Sequence, residues 1–187
     1  MEKKRENIWN VPNVLTMIRA ALIPVFLILY YQNQRYLALG VFLLASFTDL
    51  LDGYIARKYN LITNFGKLMD PLADKLMVIS VLLVQTLSGV LPPAAVIIVV
   101  LKEVIMVLGG AYMLKKGVVV YSELVGKAAQ FLFIAAISLS FFHENFKSAG
   151  TLQWDLILVW ISVGLTLLAL AFYARRAIDK LKAAKRP

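Results

Sequence analysis

Six stretches of this sequence are apolar for long enough to decide what the chain can become: residues 14–31, 36–57, 68–88, 92–114, 124–142 and 154–174. An α-helix rises 1.5 Å per residue, so about 20 residues cross a ~30 Å hydrocarbon core. The chain is 60% hydrophobic, against roughly 45–50% in soluble domains, and cannot bury that much apolar surface in water. The pattern predicts an all-α polytopic membrane protein with six transmembrane helices. Connections are short, with no low-complexity linker and no internal repeat, so residues 1–187 are expected to form a single membrane domain. No small-residue cleavage site follows the first stretch before the second, so the first helix is expected to be retained.

The net charge of +9 is unevenly distributed. Lys3, Lys4 and Arg5 precede the first stretch, and Arg57, Lys58 and Lys67 lie between the second and third. Lys115, Lys116 and Lys127 flank the fourth connection, and Arg175, Arg176, Lys180, Lys182, Lys185 and Arg186 follow the sixth stretch. The alternate connections carry few basic residues, and the positive-inside rule then places both termini in the cytoplasm. Residues 1–12 become a cytoplasmic N-terminal segment and residues 175–187 a basic cytoplasmic tail. Beside a membrane span, such a tail meets anionic lipid headgroups rather than nucleic acid. Cysteine is absent, which excludes disulfides, a thiol nucleophile and a thiolate metal site.

Against this apolar background, four aspartates in two neighbouring helices stand out, because an ionised carboxylate in hydrocarbon is costly and marks a functional site by default. Asp49 and Asp52 are three residues apart near the end of the second helix. Asp70 and Asp74 are four apart at the start of the third. Each spacing puts its pair on one helical face. The helices run antiparallel about a short polar connection, so the two faces can converge. Converging carboxylates repel one another unless cations neutralise them. All-oxygen ligands suit Mg²⁺ or Mn²⁺ better than Zn²⁺, and such ions clamp phosphate oxygens during phosphoryl transfer. Gly53 allows close approach to the helix backbone and Arg57 supplies a phosphate partner, the alternative being a structural Asp–Arg pair with a packing glycine. Arg19, about six residues inside the first helix, fits snorkelling to the interface and a binding role equally.

The segment Asp49-Leu-Leu-Asp52-Gly53-Tyr-Ile-Ala56-Arg57, then eight residues, Gly66, three residues, Asp70, three residues and Asp74, fits D-x2-D-G-x2-A-R-x8-G-x3-D-x3-D at every fixed position. It resembles the signature of the CDP-alcohol phosphotransferases, and eight specified positions at fixed spacing make the resemblance specific. The resemblance implies that Asp49, Asp52, Asp70 and Asp74 hold two metal ions and that Asp74 is also the general base on the incoming hydroxyl. It implies further that Gly53, Arg57 and Thr63, with Asn13 and Thr16 at the start of helix one, contact the CDP part of a CDP-activated lipid. A homodimer is implied in the same way, and the charge pattern puts the site on the cytoplasmic face of what is expected to be a bacterial cytoplasmic membrane.

Within that family, the chain is similar to bacterial members that use CDP-diacylglycerol with glycerol 3-phosphate as acceptor. Lys102-Glu103 stands where that subgroup carries Arg-Glu, and Ser122, Gly126 and Lys127 resemble its Ser-x3-Gly-Lys stretch. This assigns Lys102, Ser122 and Lys127 to an acceptor-phosphate site, with interfacial anchoring and pairing inside the bundle as the alternative roles. Lys at position 102 lacks the bidentate fork of Arg, and Ala128-Ala129 replaces a second basic residue. A relative that accepts another alcohol therefore stays open, including a CMP-forming cardiolipin synthase using phosphatidylglycerol. A transporter whose acids line a cation path is the competing class. His143, the only histidine, is expected to be an interfacial loop residue, and Trp9, Trp154 and Trp160 to belong to the aromatic belts.

Overall fold

The computed structural model describes residues 10–59, 61, 63–116, 124–148 and 152–184, and among them every regular element is an α-helix. The chain divides into two compact units, residues 1–87 and 88–187.

In the first unit, α1 (Val11–Tyr31) packs against both α2 (Arg35–Lys58) and α3 (Asn64–Leu87). Asn10 caps α1, its side-chain oxygen accepting the Asn13 backbone N–H at 2.9 Å, and Pro12 sits in the first turn, where no N–H is missed. The helix ends in a Schellman turn. Gln34 N–H donates to the Leu29 carbonyl and Asn33 N–H to the Tyr30 carbonyl, both at 3.0 Å, with Asn33 left-handed at φ 58°. Two residues later α2 runs back along α1. The unit's interior holds Phe26 and Tyr30 of α1, Ala38, Phe42 and Ala45 of α2, and Ala73, Met77 and Val81 of α3. Alanines at these positions let helix backbones approach closely. Leu37, Leu44, Phe47 and Leu50 face outward, as a lipid-facing surface requires.

In the second unit, α7 (Trp154–Ala184) packs against α4 (Pro93–Lys115) and α5 (Leu124–Ser140). A short helix, α6 (His143–Ser148), lies between α5 and α7 in the chain. Ala129, Phe133, Ala136 and Ile137 of α5 and Val159 and Val163 of α7 are buried.

Among the described residues, four helical segments are long and apolar enough to cross a membrane: Val11–Tyr31, Arg35–Ala56, Pro93–Met113 and Trp154–Leu181. The other two expected spans differ for physical reasons. α3 has the length, at 24 residues, but carries Asp70, Asp74 and Lys75 in its first half. α5 has 17 residues and stops at Ser140, before the expected end at Phe142. α3 also starts earlier than expected, at Asn64, which brings Gly66 into its first turn.

One expectation is corrected. His143 is not in a loop: it opens α6, is buried, and its Nδ1 lies 2.6 Å from Asp155 Oδ2 at the start of α7. Asp155 is fully buried, so pulling the ring in supplies the hydrogen bond that the carboxylate needs there.

Candidate active site on the first three helices

Asn13, Thr16 and Arg19 recur every third residue along α1 and are all buried. That spacing keeps them on one side of the helix. Asp49 and Asp52 of α2 and Asp70 of α3 meet this side. The Arg19 guanidinium spans the two α2 carboxylates: Nη1 lies 2.9 Å from Asp49 Oδ1, and Nη2 donates to Asp52 Oδ2. Nη1 also reaches the Asp70 carbonyl oxygen at 3.5 Å. Thr16 Oγ1 hydrogen-bonds Asp70 Oδ1 and lies 3.1 Å from the Pro12 carbonyl. Three of the four aspartates thus gather on α1, and Asp74 follows Asp70 by about one turn of α3, half-buried.

The entry to α3 is built by residues of the expected site. Thr63 Oγ1 accepts the Gly66 N–H at 3.0 Å, as a residue capping the first turn does, and donates to Asn13 Oδ1 at 3.1 Å. Asn10 Nδ2 donates to the Leu61 carbonyl at 3.2 Å, a second tie between the start of α1 and this loop. Gly66 has no room for a side chain. A Cβ there would lie 2.7 Å from Asn13 Oδ1, 3.2 Å from Thr63 Oγ1 and 3.5 Å from Asp70 Oδ2. The fixed glycine of the motif is therefore what lets α3 come this close to α1.

The other expected positions are distributed as follows. Gly53 is half-buried on α2, and the Arg57 side chain lies outside the described residues, as does Ser122. Lys102 of α4 is ion-paired with its neighbour Glu103, and Lys127 of α5 is exposed; both belong to the second unit.

The donor chemistry fits a hard divalent cation: carboxylates of Asp49, Asp52 and Asp70 with the Thr16 hydroxyl close by, all of them oxygen donors. The contacts above use one oxygen on each of these carboxylates. Among the described residues, however, no three acids are arranged as a ready-made cation cage, and it is Arg19 that neutralises Asp49 and Asp52. Arg19 is the residue that sequence reasoning undervalued. The available signal was a charged side chain well inside an apolar span, three residues after Thr16 and six after Asn13, on the same side of the helix.

The profile of the CDP-alcohol phosphatidyltransferase family matches residues 9–168, which reach across both units. A CDP-diacylglycerol–glycerol-3-phosphate 3-phosphatidyltransferase of Bacillus subtilis is 31% identical over 189 residues, covering 93% of this chain and 98% of that protein. One of the same name from Rickettsia bellii is 57% identical over 72 residues, 37% of this chain; the match spans 40% of that relative's length. A human cardiolipin synthase (CMP-forming) is 39% identical over 111 residues, 59% of this chain and 36% of that protein. The chain belongs to the CDP-alcohol phosphatidyltransferase family.

Proposed function

We propose that this chain transfers the phosphatidyl group of CDP-diacylglycerol to a hydroxyl of glycerol 3-phosphate, giving phosphatidylglycerophosphate and CMP. The observation that carries the reading is the meeting of Asp49, Asp52 and Asp70 on the buried side of α1, in an apolar helical unit. The family generally uses divalent metals. On this reading Asp49, Asp52, Asp70 and Asp74 hold Mg²⁺ or Mn²⁺, two ions in all, whose bound charge neutralises the phosphates. The acceptor oxygen forms a bond to the lipid phosphorus while the bond from that phosphorus to CMP breaks. The hydroxyl proton goes to Asp74, and CMP leaves with the bonding electron pair. Asn13, Thr16, Gly53, Arg57 and Thr63 hold the CDP portion, and Lys102, Ser122 and Lys127 the acceptor phosphate.

The membrane arrangement follows the charge pattern: six spans, both termini cytoplasmic, and the site open to the cytoplasmic face of a bacterial membrane. α3 joins the spans because acids satisfied inside a bundle are tolerated at depth. A homodimer of single-domain protomers completes the reading.

The likeness to a cardiolipin synthase favours one second reading, the same chemistry with phosphatidylglycerol as acceptor. One assay separates them: CMP release by the purified full-length protein, given CDP-diacylglycerol, Mg²⁺ and, in turn, glycerol 3-phosphate, phosphatidylglycerol, serine or inositol phosphate. Glycerol 3-phosphate is expected to drive release, EDTA to abolish it, and Asp74→Asn to slow it by about 100-fold or more, the scale of general-base loss. Release driven by phosphatidylglycerol instead selects the second reading. Cation flux without CMP release under any acceptor refutes both and selects the transporter class.

A further inference from the structure

An arginine stays protonated at any physiological pH, and Arg19 is 1% exposed inside a helix apolar enough to span a membrane. A buried cation of this kind is tolerated only when paired. Its pairing is specific: one guanidinium bridges Asp49 and Asp52, which stand one helical turn apart on α2 and repel each other without a cation between them. These two carboxylates are also two of the four that the proposed reaction needs for divalent ions. Arg19 and the ion therefore perform the same electrostatic task on the same oxygen-bearing groups. A further detail marks the arrangement as incomplete in itself: Arg19 Nε is buried without a hydrogen-bond partner among the described residues. Leaving such a donor unsatisfied is costly, so the carboxylates alone do not saturate this guanidinium.

We propose that Arg19 is the internal counter-ion of the acidic cluster. It holds Asp49 and Asp52 together in cation-free protein, competes with the divalent ion for them, and so sets the affinity with which that ion binds. The proposal rests on the metal-dependent reading above. It makes Arg19 a positioning residue, acting through the carboxylates, and it predicts an effect opposite in sign to the loss of an ordinary site residue. Removing the competing charge tightens ion binding even as it loosens the cation-free protein.

The test measures Mn²⁺ binding to the full-length protein in detergent, from the electron paramagnetic resonance signal of the free ion, together with thermal unfolding in EDTA and in excess Mn²⁺. Arg19→Gln is expected to bind Mn²⁺ about tenfold more tightly than wild type, within the range of coupling between groups in direct contact. It should also unfold at lower temperature in EDTA and gain more from Mn²⁺ than wild type does. Arg19→Lys, which keeps a point charge but lacks the fork that spans two carboxylates, should fall between them. If Arg19→Gln does not fold, Arg19→Lys decides by the same criterion. Equal or weaker Mn²⁺ binding in the folded variant overturns the proposal while leaving the metal-dependent reading intact. Wild-type protein that neither binds Mn²⁺ nor releases CMP overturns that reading, and this proposal with it.

Discussion

Gly66→Ala adds one methyl group at the point where α3 meets α1, and the structure says what that methyl would strike. Its carbon would lie 2.7 Å from Asn13 Oδ1, closer than a real side-chain carbon sits to such an oxygen, and 3.2 Å from Thr63 Oγ1. Neither obstacle is a loose side chain. Asn13 is 1% exposed, and the Thr63 hydroxyl is held between Asn13 and the Gly66 N–H. Relief requires the start of α3 to move away by several tenths of an ångström, and Asp70, one turn further on, moves with it. Overpacking of this kind costs about 1–3 kcal/mol. Alanine returns at most about 1 kcal/mol through its better helix propensity, and less than that in a first turn. The expected result is a net loss of about 1–2 kcal/mol, seen as a lower unfolding temperature in detergent. Activity falls as well: a displacement of a reacting group by about 1 Å can cost a factor of about 100, and several tenths of an ångström a smaller part of that. The measurements are kcat/KM for CMP release and the thermal midpoint of the same preparation. A Gly66→Ala protein with wild-type kcat/KM and midpoint would refute the claim that this glycine sets the α1–α3 approach.

Two further perturbations probe groups on either side of this contact. Thr16→Val keeps the shape but removes the hydroxyl bonded to Asp70; loss of a hydrogen bond to a charged group costs about 1.5–3 kcal/mol, so CMP release and thermal stability should both fall, and unchanged values for both would contradict the contact. His143→Leu leaves Asp155 buried without its partner, a loss of about 1–3 kcal/mol. A double His143→Leu/Asp155→Leu variant should recover much of that loss, with CMP release retained in both proteins, whereas additive losses would show that the pair is not coupled.

The site was legible to the extent that spacing encodes a helical face. Asp49 and Asp52, Asp70 and Asp74, and the run Asn13, Thr16 and Arg19 each share a face by local periodicity alone, before any partner is known. Charge in an apolar segment then flagged the four aspartates as functional. The same reasoning could not choose between snorkelling and pairing for Arg19, because the choice depends on whether carboxylates from another helix arrive within reach, and that distance is set by how α1 and α2 pack.

Apolar length and charge determined that this chain is helical and membrane-spanning in character, and the aspartate–glycine–arginine spacing determined its family. Tertiary structure alone decided that Arg19 bridges two aspartates, that Gly66 is required by its nearness to Asn13, and that His143 turns inward to Asp155. The physical reason is common to all three. Periodicity fixes which way a residue faces along its own helix, whereas a buried ion pair, a steric contact or a satisfied hydrogen bond exists only once a second element occupies the space that it faces.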